Sequence, residues 1–299
     1  MLTILSILSP ILVLMALGQL LRRNGLFGAE FWRGVEALVY YVCFPALLFG
    51  TLATQPIQLT IGGPMILTGI GFMLGGMLMG LVSIPVFTPT PRSFASLYQC
   101  AFRFNAYIGF ALLGGLYGHA GIAAFALLAG FVIPMVNVAS VWALARHQKQ
   151  SLLRELLRNP FILATFAGLT WSALALPMPD VLHTTLLFLG EPALPLGLLA
   201  TGASLSLRLE ARQGGLVGYF IAVKLLAVPL LALGLAILAG LEQEYLAAAV
   251  LLAALPPAAS ASILANRMGG DGALVATTVG VATLLSALSL PVWLWILGL

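Results

Sequence analysis

Charge is what this chain most lacks. Only 7% of its 299 residues are Asp, Glu, Lys or Arg, and 61% are hydrophobic. Soluble domains carry roughly 25% charged residues, so this balance cannot coat a globule in water. Long polar segments are missing too. The longest lies around Arg146–Asn159, too short for a separate soluble domain. Cysteine is nearly absent: Cys43 and Cys100 both fall in apolar runs and read as small core residues, not as a disulfide or metal pair. There is no HExxH, no Ser/His/Asp arrangement and no nucleotide-binding loop, so the expectation is no cofactor, no metal and no enzyme. The net charge of +4 comes from loop arginines and does not imply nucleic acid.

Apolar runs of about 20 residues, the length that crosses a bilayer core, fill the rest. Breaks at polar and Gly/Pro clusters predict ten spans: Thr3–Leu21, Ala37–Thr54, Gly63–Ile84, Phe94–Tyr117, Gly121–Leu144, Phe161–Leu176, His183–Ser204, Gly215–Ala239, Leu246–Asn266 and Gly272–Leu297. The first has no basic region before it and no small-residue cleavage site after it, so it reads as a retained span and not a signal peptide. Loops after odd-numbered spans hold Arg22, Arg23, Arg33, Arg92, Arg146, Lys149, Arg154, Arg158, Arg208 and Arg212, and Arg267 closes span nine on the same side. Loops after even-numbered spans hold Asp180, Glu242, Glu244, His119 and His183, but no Lys or Arg. Basic residues mark the cytoplasmic face, which puts the protein in an inner membrane with both termini outside.

The two halves match at a nearly constant offset. At 150 residues Pro10 pairs with Pro160, Gly18 with Gly168, Pro45 with Pro195 and Thr51 with Thr201. At 151, Gly118 pairs with Gly269, Gly121 with Gly272, and Val141-Trp142 with Val292-Trp293. Each half has five spans, an odd number, so the second enters the membrane in the opposite sense. The expected architecture is an all-α membrane protein of ten transmembrane helices, an inverted 5+5 repeat of residues 1–148 and 149–299. Such repeats are the mark of many secondary transporters, although a duplicated membrane protein of another role would show the same.

Carriers of this kind bind substrate where helices are broken. In span nine, Pro256 and Pro257 remove two amide donors and clash with the preceding turn, ahead of Ser260. The matching stretch of span four holds Asn105, Tyr107 and Gly109, and Asn can satisfy freed backbone groups or donate to a ligand. The plainer readings are a kink at the prolines and an interhelical hydrogen bond at Asn105. Arg103 and Lys224 each lie about ten residues into a span, where an unpaired cation is costly. Glu191 is the only deep acid, and one carboxylate cannot neutralise both. Excess positive charge favours an anionic substrate; snorkelling or a structural pair with Glu191 is the competing account. The candidate substrate-binding set is therefore Asn105, Arg103, Tyr107, Pro256, Pro257, Ser260 and Lys224.

With these residues the chain resembles the auxin efflux carrier family, which includes bacterial malonate-type carriers and plant PIN proteins. The resemblance is carried by Leu17-Gly18-Gln19-Leu20-Leu21-Arg22-Arg23-Asn24-Gly25-Leu26, Phe44-Pro45-Ala46-Leu47-Leu48-Phe49, and Arg103-Phe104-Asn105-Ala106-Tyr107-Ile108-Gly109. Ala193-Leu194-Pro195-Leu196 through Gly202-Ala203-Ser204-Leu205, Lys224-Leu225-Leu226-Ala227-Val228-Pro229 and Leu255-Pro256-Pro257-Ala258-Ala259 carry the remainder. It implies a scaffold of spans one, two, six and seven and a mobile transport unit of spans three to five and eight to ten. Spans four and nine would cross at the substrate, Leu48 and the tail of span two would face the crossing, motion would be elevator-like, and the protein would be a homodimer in the bilayer. The plant members carry a proline at the span-four crossing and acids nearby; this chain has neither. The function expected is transport of a small organic acid. A cation/proton antiporter is the alternative, which the missing paired acids disfavour; an intramembrane enzyme lacks its acid or His/Asp pair, and a channel would not need two opposed breaks.

Overall fold

The computed structural model describes residues 2–54, 59–144, 160–205 and 214–299, and every regular element among them is helical. In chain order these are α1 (Leu2–Arg23), α2 (Ala29–Leu38), α3 (Phe44–Thr54), α4 (Leu59–Phe87), α5 (Pro91–Tyr98) and α6 (Ala106–Leu144). The second half holds α7 (Pro160–Ala173), α8 (Asp180–Gly190), α9 (Ala193–Ser204), α10 (Gly214–Ala222), α11 (Val228–Leu238), α12 (Gln243–Ala254), α13 (Ser260–Arg267) and α14 (Gly272–Ile296). Among the described residues six helical stretches are long and apolar enough to cross a membrane. Bulky apolar side chains such as Leu67, Phe188, Leu238 and Trp295 are at least 70% exposed on their outer faces, a surface suited to lipid and not to water. The protein is thus a multi-pass membrane protein. Arg146, Lys149, Arg154, Arg158, Arg208 and Arg212, on which much of the orientation argument rests, lie outside the described residues.

Proline explains most of the helix irregularities. A proline has no N–H for the carbonyl four residues before it, and the chain answers with a wider turn. A π-turn at Val39–Cys43 precedes Pro45, and another at Val223–Ala227 precedes Pro229. The carbonyl that Pro229 abandons is that of Leu225, and the indole N–H of Trp293 donates to it at 2.9 Å. Pro195 abandons the Glu191 carbonyl, and there the chain breaks into a turn between α8 and α9. One sequence expectation needs correction here. The second span begins at Ala29 and not Ala37, because the amphipathic α2 runs through its π-turn into α3; Arg33 is therefore helical and not in a loop. Glu191 is an exposed residue at a kink within the Asp180–Ser204 span.

The two helix pairs with the closest mutual packing are α1 on α9 and α3 on α7. A side chain at Gly18 would collide with the Leu199 carbonyl, and one at Gly168 would press on the Phe49 carbonyl. Glycine at both places lets two backbones approach. Phe49 and Leu199 are themselves 150 residues apart, so the two pairs exchange partners between halves. Elsewhere α11 packs against α4 and α12, α6 against α4 and α12, and α13 against α14. The long α6 reverses direction at Gly118, whose φ of 60° suits glycine; Gly269, its match in the other half, has φ 72°.

Candidate functional site

Two of the helix interruptions meet. After α5 a single 3-10 turn, Gln99–Ala101, leads to non-helical backbone that ends at Asn105. After α12 the chain is extended at Leu255 and stays irregular until Ser260. The Asn105 N–H donates to the Pro256 carbonyl at 2.8 Å. Both halves of this contact follow from local chemistry. Pro256 and Pro257 stop α12, while Asn105 starts α6: its Oδ1 accepts from the amides of Tyr107 (3.0 Å) and Ile108 (3.4 Å), the bonds of a helix N-cap. Its Nδ2 reaches the Thr201 hydroxyl on α9 at 3.4 Å. A side chain at Gly109, one turn on, would collide with Leu255 and the Phe125 ring.

The buried cations have different surroundings. Arg103 donates to Asn137 Oδ1 (2.9 Å), Ser140 Oγ (3.4 Å) and Ser260 Oγ (3.1 Å). It thereby ties the break before α6 to the first residue of α13, and these three partners are neutral. Lys224, fully buried, donates from Nζ to the Ala253 carbonyl at 2.6 Å. Ala253 lies in the last turn of α12, so the ammonium sits at the negative end of a helix whose carbonyls the prolines have orphaned. Lys224 caps α12; Arg103 stands beside the starts of α6 and α13, where two positive helix ends converge. Tyr107 packs its ring on Phe44 at 4.8 Å between centroids and over Gly197, joining the start of α6 to α3 and α9.

A cavity of about 1260 Å³ reaches the end of the second break at Ala259, and Arg103, Asn105, Tyr107 and Pro256 are not among its lining residues. Arg22, Arg23, Arg33 and Asp271 line it, and its walls continue through Ser204 and Thr277 to Ala259 and Ser262. Ala259 is the N-cap of α13, and no side chain caps that end. One wall comes from α1, α2 and α9, the other from α13 and α14.

The structure brings together Arg103, Asn105, Tyr107, Pro256 and Ser260; Pro257 is buried beside them, and Lys224 attaches one turn earlier through Ala253. Asn137, Ser140 and Thr201 were not read from the sequence. An Asn and a Ser three residues apart on one face of a span were the available signal. The cavity arginines were read only as topology markers. Among the described residues no cluster of three His, Cys, Asp or Glu could hold a metal.

A polytopic helical chain whose two interrupted helices meet beside a cavity has the form of a membrane transporter. The comparisons agree. The family model described as Membrane transport protein, that of the auxin efflux carriers, matches residues 3–145 and 140–294. The chain belongs to this family. A Rhizobium meliloti protein provisionally named a malonate transporter is 27% identical over 296 residues, covering 93% of this chain and 90% of its own. An uncharacterized transporter of Methanothermobacter thermautotrophicus is 23% identical over 289 residues, covering 95% of each.

Proposed function

We propose that this chain is a secondary transporter that moves a small organic anion, a carboxylate, across the inner membrane by an elevator-type alternation. The observation that carries the reading is the meeting of the two breaks at Asn105 and Pro256, with Arg103 beside the start of α6 and bonded to the first residue of α13, whose N-cap Ala259 lines the cavity. Helix N-termini attract anions through their amides and dipole. The negative end that also converges here, that of α12, is covered by Lys224. An anion at the crossing would meet Arg103 and these amide ends, and the family relative named for malonate fits that sign.

The architecture follows in the same terms. Ten spans form two inverted halves, residues 1–148 and 149–299. Support comes from the exchanged Gly18–Leu199 and Gly168–Phe49 contacts and from the paired positive-φ glycines. Helices α1–α3 and α7–α9 act as scaffold in a homodimer. Helices α4–α6 and α10–α14 move, carrying the crossing past Thr201 and Phe44. The basic face is cytoplasmic and both termini lie outside.

The test is ligand-dependent melting of the purified protein against a panel of organic acids, followed by uptake into proteoliposomes. A ligand at a hundred times its Kd stabilises the folded state by about 2.7 kcal/mol. Malonate or another dicarboxylate should raise the melting temperature and be transported. A panel in which only neutral or cationic compounds do so would refute the anion reading.

A further inference from the structure

We propose that Arg23 and Arg33 form an outer docking subsite for dicarboxylates at the mouth of the cavity, apart from the crossing. The inference rests on the reading of the crossing as an organic-anion site.

Three arginines and two acids line this cavity, and most of them are already committed. Arg22 donates to the Ala203 carbonyl in the last turn of α9, and its charge also acts on Glu36. Asp271 Oδ1 accepts the Leu274 amide as the N-cap of α14. Arg23 and Arg33 remain: both are exposed, both line the cavity, and neither has a partner among the described residues. The segment that holds Arg33 is rigid. Trp32, beside it, is buried against Ala200 and Ala203 and packs edge-on against Phe27 and Phe31.

The positive-inside tendency accounts for basic residues on this face. It does not account for two guanidinia without partners among the described residues on the wall of one cavity, since any place on the face would serve topology. A guanidinium presents a planar fork that fits a carboxylate, and two such forks suit a dianion better than a monoanion. The arginines of this cavity outnumber its two acids, and an excess of one sign in a cleft concentrates the opposite ion and raises its rate of entry. Hydroxyls of Ser204, Thr277 and Ser262 continue the polar wall from there to the N-terminus of α13.

The experiment uses the full chain in proteoliposomes, with malonate as the dianion probe and propionate as the monoanion probe, and KM read separately from each face. At low ionic strength the double variant Arg23→Gln/Arg33→Gln should raise the malonate KM from the arginine-bearing face about tenfold, the lower end of electrostatic steering. Maximal rate and the KM from the opposite face should not change, propionate should respond less, and the Lys double variant should restore most of the effect. The difference should shrink at about 0.15 M salt, where the Debye length is only about 8 Å. An unchanged KM, an equal rise from both faces, or an equal shift for both probes overturns the docking site while transport itself stands. A double variant that fails to fold overturns it too, because these side chains are assigned no structural contact. If the wild type moves no organic anion at all, the proposed function fails and this inference with it.

Discussion

Replacing Asn105 by Asp separates what this residue does for the fold from what it does for a substrate. Asp keeps the acceptor that caps α6, so the bonds from the Tyr107 and Ile108 amides survive, and Asn and Asp are about equal at an N-cap. The positive helix end favours the new charge by about 0.3–1 kcal/mol. What is lost is the 3.4 Å donation to Thr201, a long bond whose hydroxyl partner can turn and donate instead. Asn105 is buried, so the new charge also loses its water at a cost that exceeds this gain, and the empty protein should melt somewhat lower while keeping the α6 cap. Binding should not survive. A carboxylate about 5 Å from a second one costs about 3 kcal/mol at an effective dielectric of 20, which is on the order of a hundredfold in affinity. Asn105→Ala instead loses the cap, at about 0.5–2 kcal/mol of stability, without adding charge. Melting temperature in detergent and malonate uptake in proteoliposomes distinguish the two. An Asp variant with wild-type melting and wild-type KM would mean that no anion reaches the crossing.

Lys224→Met should lower stability by about 1–3 kcal/mol, because the buried Ala253 carbonyl loses its donor, and in whatever folded fraction remains the malonate KM should hold; a large KM rise with normal melting would put Lys224 on the substrate instead. Gly18→Ala and Gly168→Ala should each lower the melting temperature, Gly18→Ala the more, since its methyl meets the backbone of Leu199 directly; equal tolerance of both would contradict the tight α1–α9 approach. With Cys43 and Cys100 replaced, a cysteine at Glu242 should react with an impermeant thiol reagent in intact cells and one at Arg92 should not. The opposite labelling would reverse the orientation.

Sequence patterns disclosed the elements that depend on one residue's covalent chemistry. Pro256-Pro257 must open a helix anywhere, and the break is where the prolines are. Asn105 is legible as a partner for freed backbone because few side chains fit that role inside lipid, although its use as a cap is not. What escaped depends on spatial neighbours. The division of labour between Arg103 and Lys224 is set by Ser260, Asn137, Ser140 and Ala253, residues up to 157 positions away. Span seven looked continuous because the effect of Pro195 falls four residues earlier, at Glu191. The second span looked shorter because α2 is amphipathic, and charge on one helix face resembles a loop when only composition is counted.

The treatment of freed backbone groups divides the two ends of the broken helices. Carbonyl ends receive long donors from elsewhere in the chain. Lys224 reaches Ala253, Arg22 reaches Ala203 and Trp293 reaches Leu225. Each would otherwise leave an acceptor buried at a cost of about 1–3 kcal/mol. Of the two amide ends at the crossing, α6 is capped by its own Asn105 and α13 by no side chain. A carrier that had to hold a cation would need the reverse, with carbonyls open and amides covered. The proposed sign of the cargo rests on this asymmetry: the end beside the cavity is an amide end without a side-chain cap, and Arg103 bonds to its first residue.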